Sequence, residues 1–133
     1  MFKRYAIYFT PPPGGFTQLG TAWLGWDLAQ GCTVPHPEIA GVNVAAITER
    51  PRKYGLHATI KAPFTLADGA TEQGLTDALA AFCAARPSVI LDGLALTQIG
   101  RFMALTPKGD TSALNGLASA AMQSLDGFRA PLD

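Results

Sequence analysis

The spacing of the hydrophobic residues switches along this chain between two periods, and this switching most constrains the fold. A two-residue alternation is typical of a strand with one buried face, whereas spacings of three and four residues are typical of an amphipathic helix. The pattern predicts strands over 2–10, 56–64, 88–97 and 102–106, and helices over 16–28, 71–86 and 110–125, with a helical turn over 44–49. This order predicts an α+β fold with helices packed on one face of a mainly antiparallel sheet, its last two strands forming a hairpin.

Residues at the ends of these segments support their boundaries. The PPPGG run at residues 11–15 ends the first strand. Thr71 is the predicted N-cap of the clearest helix, and Asp110 or Thr111 caps the last one. Pro51 predicts that the helical turn ends before it, because the residue preceding a proline is pushed out of the helical conformation.

Length and charge exclude several classes of protein. A chain of 133 residues fits one domain, residues 1–133. Ten basic and ten acidic residues cancel, and binding of long nucleic acid requires a basic surface, so we expect no such partner. No apolar run approaches the ~20 residues of a membrane-spanning helix, and the N-terminus lacks a secretion signal. We therefore expect a cytoplasmic protein without a membrane partner.

The two cysteines give no sign of a metal site. Cys32 and Cys83 are far apart in the sequence, and neither has a cysteine or histidine neighbour at the spacing of a zinc site. We expect each to be a small buried hydrophobic residue, and we expect no metal or other cofactor.

One of the two histidines stands among groups suited to phosphate chemistry. In the strand YGLHATIKAPF, residues of equal parity share a face, so His57, Thr59 and Lys61 project together. The imidazole can move a proton, the hydroxyl can donate to a phosphoryl oxygen, and the ammonium can offset developing charge. Tyr54, just before the strand, fits either a substrate wall or a turn. His36 lies between two prolines, and we interpret it as a solvated bystander.

A structural interpretation of the same residues stays open. A His-x-Thr triplet arises by chance in many proteins, and a histidine in a strand is often only a hydrogen-bonded, partly buried residue. Lys61 also fits an exposed lysine on a sheet rim. The neighbouring basic residues Arg50, Arg52 and Lys53 nevertheless favour a small anion beside His57, held by charge-assisted hydrogen bonds.

Four segments resemble, in this order, successive segments of the 2H (two-histidine) phosphoesterase superfamily, in its phosphonate-operon branch. They are RYAIYFTPPPG, TAWLGWD, PRKYGLHATIKAPF and IGRFMALTP. Because these segments are spread along the chain, the resemblance covers essentially all of it. The superfamily includes RNA 2′,3′-cyclic phosphodiesterases and 2′-5′ RNA ligase-like proteins. The resemblance implies two similar lobes across a cleft, each supplying one His-x-Thr/Ser. It further implies that the paired histidines act as general acid and general base on a phosphodiester, without a required metal.

The resemblance assigns roles to four residues of this chain. His57 is the acid or the base, Thr59 holds a phosphoryl oxygen, Lys61 is an accessory phosphate contact, and Tyr54 belongs to the substrate-binding surface. No second His-x-Thr or His-x-Ser follows Thr59, and the resemblance implies one beyond Asp133. The chain thus corresponds to one lobe, the hairpin and one helix of the next.

Two functions are consistent with these residues. The first is a phosphoesterase that acts on a cyclic phosphate or small phosphodiester, and the second is a non-catalytic domain that binds a phosphate ester. Surfaces that a second lobe would cover are expected to be bare, above all the hairpin and the last helix with Leu114, Leu117, Met122 and Leu125. Bare apolar surface favours association, so we expect a homodimer.

Overall fold

Six strands and five helices follow one another in residues 2–132, the part of the chain that the computed structural model describes. They are β1 Tyr5–Phe9, α1 Gly15–Leu24, β2 Trp26–Asp27, β3 Cys32–Thr33, α2 Val44–Ile47, α3 Glu49–Arg52, β4 Ala58–Phe64, α4 Glu72–Ala84, β5 Leu94–Ile99, β6 Phe102–Pro107 and α5 Ser112–Ser124. A single 3-10 turn, Asp126–Phe128, follows α5. The predicted α+β class is confirmed. Within residues 2–132, no helix combines the length and the apolar character that crossing a membrane requires.

The strands pair in twos, and the chain divides into two compact units. β1 pairs with β4, β2 with β3, and β5 with β6. One unit is residues 8–59, and the other comprises residues 1–7 and 60–133.

Helix α1 ends earlier than the hydrophobic spacing predicted. It stops at Leu24 because Gly25 adopts a left-handed conformation with φ +77°, which a glycine tolerates and which terminates helices. Trp26 and Asp27 then form β2 instead of a further helical turn, and Trp26 pairs with Thr33 across an antiparallel ladder.

The predicted helical turn is α2, which ends at Ile47, before Pro51, but the proline does not keep the residues around it out of a helix. Pro51 lies inside α3, at its third position. The first-turn N–H groups of a helix have no acceptor within the helix, so a proline there removes no hydrogen bond.

The two longest helices begin at threonines, as predicted, but only one of the two hydroxyls caps its helix. Thr71 accepts a hydrogen bond from the Gly74 N–H at 3.0 Å. Thr111 is the N-cap of α5 without a side-chain capping bond. There the Asp110 carboxylate accepts from the Ser112 N–H at 2.9 Å instead.

The core of the unit formed by residues 1–7 and 60–133 joins β1, β4, α4 and the end of α5. Its buried side chains are Ile7, Phe64, Leu75 and Leu125, and six partly buried residues pack against them. Leu125 is 1% exposed, so the prediction that it contributes to a bare surface is wrong. It packs in the cluster with Phe64 and Leu75, whereas Met122 on the preceding helix remains exposed.

The predicted hairpin is confirmed, and its apolar residues are exposed. β5 and β6 form an antiparallel ladder from Leu94↔Pro107 to Ile99↔Phe102. Leu96, 71% exposed, pairs with Leu105, and Met103 on the same face is also exposed. The expected bare hairpin surface is therefore present.

The prediction that both cysteines are buried is wrong. Cys32 and Cys83 are exposed. Cys32 lies in the two-residue strand β3, both of whose residues are exposed. Cys83 follows the buried Leu75 by eight residues, and eight steps of a 3.6-residue helix rotate it by about 80° away from that direction.

Candidate functional site

His57 lies directly before β4, two residues after Gly55, whose backbone adopts a left-handed conformation. The strand was predicted from residue 56 but begins at Ala58, so His57 lies in the turn that leads into it. Gly55 is buried and has φ +70°. A β-carbon at this position would lie 3.1 Å from the Leu28 Cβ, so both the conformation and the close approach require glycine.

The residues before this turn are anchored to α1. A β-carbon at Gly20 would lie 3.2 Å from the Leu56 Cγ, so the absence of a side chain allows Leu56 to pack against the helix. The Arg52 guanidinium donates from Nε to the Leu24 carbonyl at 3.0 Å and from Nη2 to the Ala45 carbonyl. These contacts hold both sides of the turn that carries His57.

The hydrogen bonds of His57 indicate which ring nitrogen exchanges a proton. Nδ1 lies 3.0 Å from the Gly55 carbonyl oxygen, and Nε2 lies 3.2 Å from the Thr59 Oγ1. A carbonyl only accepts hydrogen bonds, so Nδ1 carries the hydrogen. In the neutral ring, Nε2 therefore holds the lone pair and accepts from the Thr59 hydroxyl. The structure thus brings together the two side chains that the strand period predicted to share a face.

Two tyrosines flank the His57 ring. The Tyr8 ring is stacked on it, with centroids 4.0 Å apart and planes inclined by 27°. The Tyr54 ring is tilted by 45° at 6.4 Å, and Tyr54 is 57% exposed. Tyr8 covers one face of the imidazole, and Tyr54 offers an exposed aromatic surface beside it. Tyr8 was not predicted from the sequence as a site residue. The one indication was its position on the polar face of β1.

Lys61 is buried, and its ammonium forms an ion pair with the half-exposed carboxylate of Asp126. The lysine is 2% exposed, so the alternative of an exposed lysine on a sheet rim is wrong. Its Nζ lies 3.0 Å from the Asp126 Oδ1 and 5.4 Å from the centroid of the Phe64 ring. Arg129 and, secondarily, Lys61 lower the pKa of Asp126 to about 2. A contact between Lys61 and a phosphate would require the ammonium to leave Asp126, and that role stays a prediction.

The other basic residues near the site divide into two kinds. Arg52 is committed to backbone carbonyls and to the Thr48 hydroxyl, which its Nη2 reaches at 3.1 Å. Arg50 and Lys53 are exposed. The predicted preference of a small anion for the surroundings of His57 stays a prediction.

His36 is not the solvated bystander that the sequence suggested. It is half-buried, and its Nδ1 lies 3.1 Å from the Trp23 carbonyl oxygen. Its Nε2 would lie 2.6 Å from a β-carbon at Gly25, so the ring packs directly on that glycine. His36 therefore helps to hold the end of α1. Throughout residues 2–132, no three His, Cys, Asp or Glu side chains come together as a metal site would require.

Comparison with known proteins relates the chain to one family and to two longer proteins. A family model described as "Protein of unknown function (DUF1045)" matches residues 59–133. A ribose 1,5-bisphosphate phosphokinase PhnN of Janthinobacterium sp. (strain Marseille) is 38% identical over 133 residues, which are 97% of this chain and 29% of that protein. A protein of the same name from Laribacter hongkongensis (strain HLHK9) is 39% identical over 129 residues, 96% of this chain and 31% of that protein. The chain thus spans about three tenths of the length of these curated relatives. No solved structure matches.

Proposed function

The chain belongs to the DUF1045 family, and on this premise we propose that it carries half of a 2H phosphoesterase site for a small phosphate ester. One observation carries the proposal: Nε2 of His57 points to the Thr59 hydroxyl while Nδ1 is held by the Gly55 carbonyl. This arrangement presents one proton-exchanging nitrogen and one hydroxyl at the same place, as the His-x-Thr of the resembled superfamily requires.

The proposed reaction is hydrolysis of a phosphodiester. The oxygen of a water molecule forms a bond to phosphorus while one ester P–O bond breaks. As a base, the neutral His57 Nε2 takes the proton of that water; as an acid, the protonated Nε2 gives its proton to the leaving oxygen. The Thr59 hydroxyl turns from Nε2 to donate to a phosphoryl oxygen. His57 supplies one of the two transfers, and we assign the other to a second His-x-Thr/Ser.

The proposed substrate is a phosphorylated sugar of phosphonate metabolism. Two observations support it: the sequence resemblance to the phosphonate-operon branch, and the name of both relatives, which concerns ribose 1,5-bisphosphate. We do not extend the kinase activity of that name to this chain. Its 133 residues contain no G-x-x-x-x-G-K-[ST], the loop that cradles nucleotide phosphates in P-loop kinases.

Hydrolysis of a small cyclic phosphodiester tests the proposal. Because His57 supplies one of the two transfers, we expect the chain to open 2′,3′-cyclic AMP to a monoester faster than the uncatalysed reaction, as measured by 31P NMR. We expect His57→Ala to lower this acceleration by roughly a hundredfold or more. His36→Asn is the matched control, because His36 contacts the end of α1. A rate that His57→Ala leaves unchanged would refute the role of His57.

A second candidate is a phosphate-ester binding domain without catalysis. It is favoured by the presence of one histidine beside Thr59, with His36 committed to Trp23. In this case titration with a phosphate ester shifts the His57 ring resonances of the unmodified chain, and no monoester accumulates. Product formation that depends on His57 excludes this candidate.

A further inference from the structure

A small cavity within residues 8–59 is lined by apolar residues together with three threonines and one aspartate. Its volume is about 160 Å³, room for about five water molecules at ~30 Å³ each. The polar side chains that line it are Thr10, Thr17, Thr21 and Asp27, and the apolar ones include Leu28 and Leu56. None of these residues is part of the proposed proton-transfer pair.

Three polar atoms of this lining are available to a ligand. The Thr17 hydroxyl already donates to the Pro12 carbonyl at 2.6 Å, and the Asp27 Oδ1 accepts from the Gln30 N–H at 2.9 Å. In contrast, the hydroxyls of Thr10 and Thr21 and the Asp27 Oδ2 make no hydrogen bond with the described residues 2–132. The cavity therefore offers two groups that both donate and accept, and one acceptor with negative charge.

This chemistry fits the hydroxylated part of a sugar and disfavours its phosphate. A carboxylate oxygen accepts from sugar hydroxyls, and threonine hydroxyls complete such a network. The side chains of Leu28 and Leu56 provide apolar surface for the ring carbons. The charge of Asp27 repels a phosphate, which is also negative, so the anionic end of a sugar phosphate would have to lie elsewhere.

Two residues that line the cavity are close in the sequence to His57 and to Tyr8, whose ring stacks on it. Leu56 in the cavity wall immediately precedes His57. Thr10 follows Tyr8, the residue stacked on the His57 ring, by two residues, a distance of about 7 Å along an extended chain. These short separations along the chain make it reasonable to seek the sugar part of the substrate in this cavity and its phosphate at Nε2.

We propose that this cavity binds the uncharged, hydroxylated portion of the substrate, with Thr21 and Asp27 as specificity-determining residues. The inference rests on the proposed function for the identity of the substrate class. It adds the location of the sugar subsite, and it predicts that hydroxyl groups rather than phosphate alone determine which ester binds.

Two phosphates that differ in hydroxyl content test this subsite. NMR titration of backbone amides gives the dissociation constants of ribose 5-phosphate and of n-butyl phosphate, which has no hydroxyl on its chain. We expect the full chain to prefer ribose 5-phosphate by roughly tenfold or more, since a hydrogen bond to a charged group is lost with n-butyl phosphate. The Thr21 and Asp27 amides are expected to shift with ribose 5-phosphate.

Conservative variants locate the preference. Thr21→Val keeps the side-chain shape, and Asp27→Asn keeps the Oδ1 that accepts from Gln30. Each is expected to remove most of the preference, whereas Thr76→Val and Asp77→Asn on α4 leave it intact. Thermal unfolding verifies that all four variants fold.

The outcomes separate this inference from the proposed function. An unchanged preference in Thr21→Val and Asp27→Asn, with His57 resonances still responding to both phosphates, overturns the subsite and leaves the phosphoesterase proposal standing. Shifts at Thr21 with ribose alone that Asp27→Asn abolishes, with no response of His57 to either phosphate, support the subsite and count against the phosphoesterase. Amides of Thr21 and Asp27 that respond to no sugar overturn the subsite directly.

Discussion

At the scale of single residues, the hydrogen bond between His57 and the Gly55 carbonyl links backbone conformation to chemistry. The carbonyl fixes the hydrogen on Nδ1 and leaves Nε2 for proton exchange. The direction of the Gly55 carbonyl depends on the backbone angle φ of +70° at Gly55, a value that only glycine adopts without strain. We therefore propose Gly55 as a positioning residue for the proposed pair of His57 and Thr59.

Gly55→Ala is expected to destabilise the fold and to disturb His57 together. The left-handed conformation alone costs a residue with a β-carbon about 1–2 kcal/mol. At Gly55 the new methyl would also approach the Leu28 Cβ at 3.1 Å, so the loss of unfolding free energy in urea exceeds that range.

Gly31→Ala provides the matched control for this substitution. Gly31 has φ +64° and belongs to the same unit, and a β-carbon there meets nothing within 4 Å. We expect only the conformational cost and unchanged 15N shifts of the His57 ring, whereas Gly55→Ala alters those shifts. Equal effects of the two substitutions would contradict a positioning role for Gly55.

The ion pairs of Asp126 predict a specific acid sensitivity. Arg129 and then Lys61 lower the pKa of this carboxyl to about 2, below its unfolded value of about 3.9. The pairing therefore stabilises the fold fully above the unfolded pKa, and this contribution is lost as the pH falls toward 2.

Asp126→Asn removes this contribution and leaves the Lys61 ammonium buried without its partner. We expect a lower unfolding free energy at pH 6, and we expect the difference from the unmodified chain to shrink between about pH 4 and pH 2. Circular dichroism of urea unfolding across this range checks it. Asp77→Asn on α4 is the control, and a constant difference at all pH values would contradict the assignment.

The sequence predicted the proximity of His57 and Thr59 but not the environment of Lys61. Side-chain parity along a chain that enters a strand suffices to bring two neighbouring groups together. The burial of Lys61 depends on Asp126, 65 residues away, and a local pattern contains no information about such a partner. Tyr8 was missed for the same reason, because its contact with His57 is made between distant segments.

At the scale of elements, the types of the longer strands and helices were predictable, whereas several of their bounds and the two-residue strands β2 and β3 were not. The hairpin β5–β6 and the helices α4 and α5 follow strong local patterns. Helix α1 lost its predicted last turn because one left-handed glycine outweighs the continuing apolar spacing. Conversely, Pro51 did not end its helix, since in the first turn a proline removes no hydrogen bond.

Thr71 and Thr111 are both N-cap residues, but we expect substitution by alanine to lower the unfolding free energy by different amounts at the two positions. Thr71→Ala removes the acceptor of the Gly74 N–H, and we expect a loss of about 1 kcal/mol. Thr111→Ala is expected to cost only a few tenths of a kcal/mol, because its hydroxyl makes no capping bond. Chemical unfolding of both variants measures the difference, and an equal or reversed order would contradict it.

At the scale of the whole molecule, the division into two units has no counterpart in the composition. The boundaries fall between residues 7 and 8 and between residues 59 and 60, inside β1 and β4. Neither boundary is a Pro/Gly-rich or charged linker, which are the signals that a sequence offers for the edge of a domain. The division follows from contacts between distant segments, which no local pattern encodes.

The homodimer expected from the sequence stays a prediction, and the exposed hairpin face provides its test. If two chains associate through this face, Leu96→Lys introduces an unpaired charge into the interface and weakens association by roughly tenfold or more. Ile90→Lys is the control, because Ile90 is exposed outside the hairpin. Sedimentation equilibrium decides, and a 14.0 kDa monomer at all concentrations of the unmodified chain refutes the dimer.

The two exposed cysteines make the natural chain a convenient substrate for spectroscopic labels. Cys32 lies on β3 in residues 8–59, and Cys83 lies on α4 in the other unit. Thiol-reactive spin labels would therefore attach once to each unit without any engineered residue. Pulsed electron paramagnetic resonance of the doubly labelled protein measures the distance between the two labels. A change of this distance on addition of ribose 5-phosphate would report a ligand-induced motion.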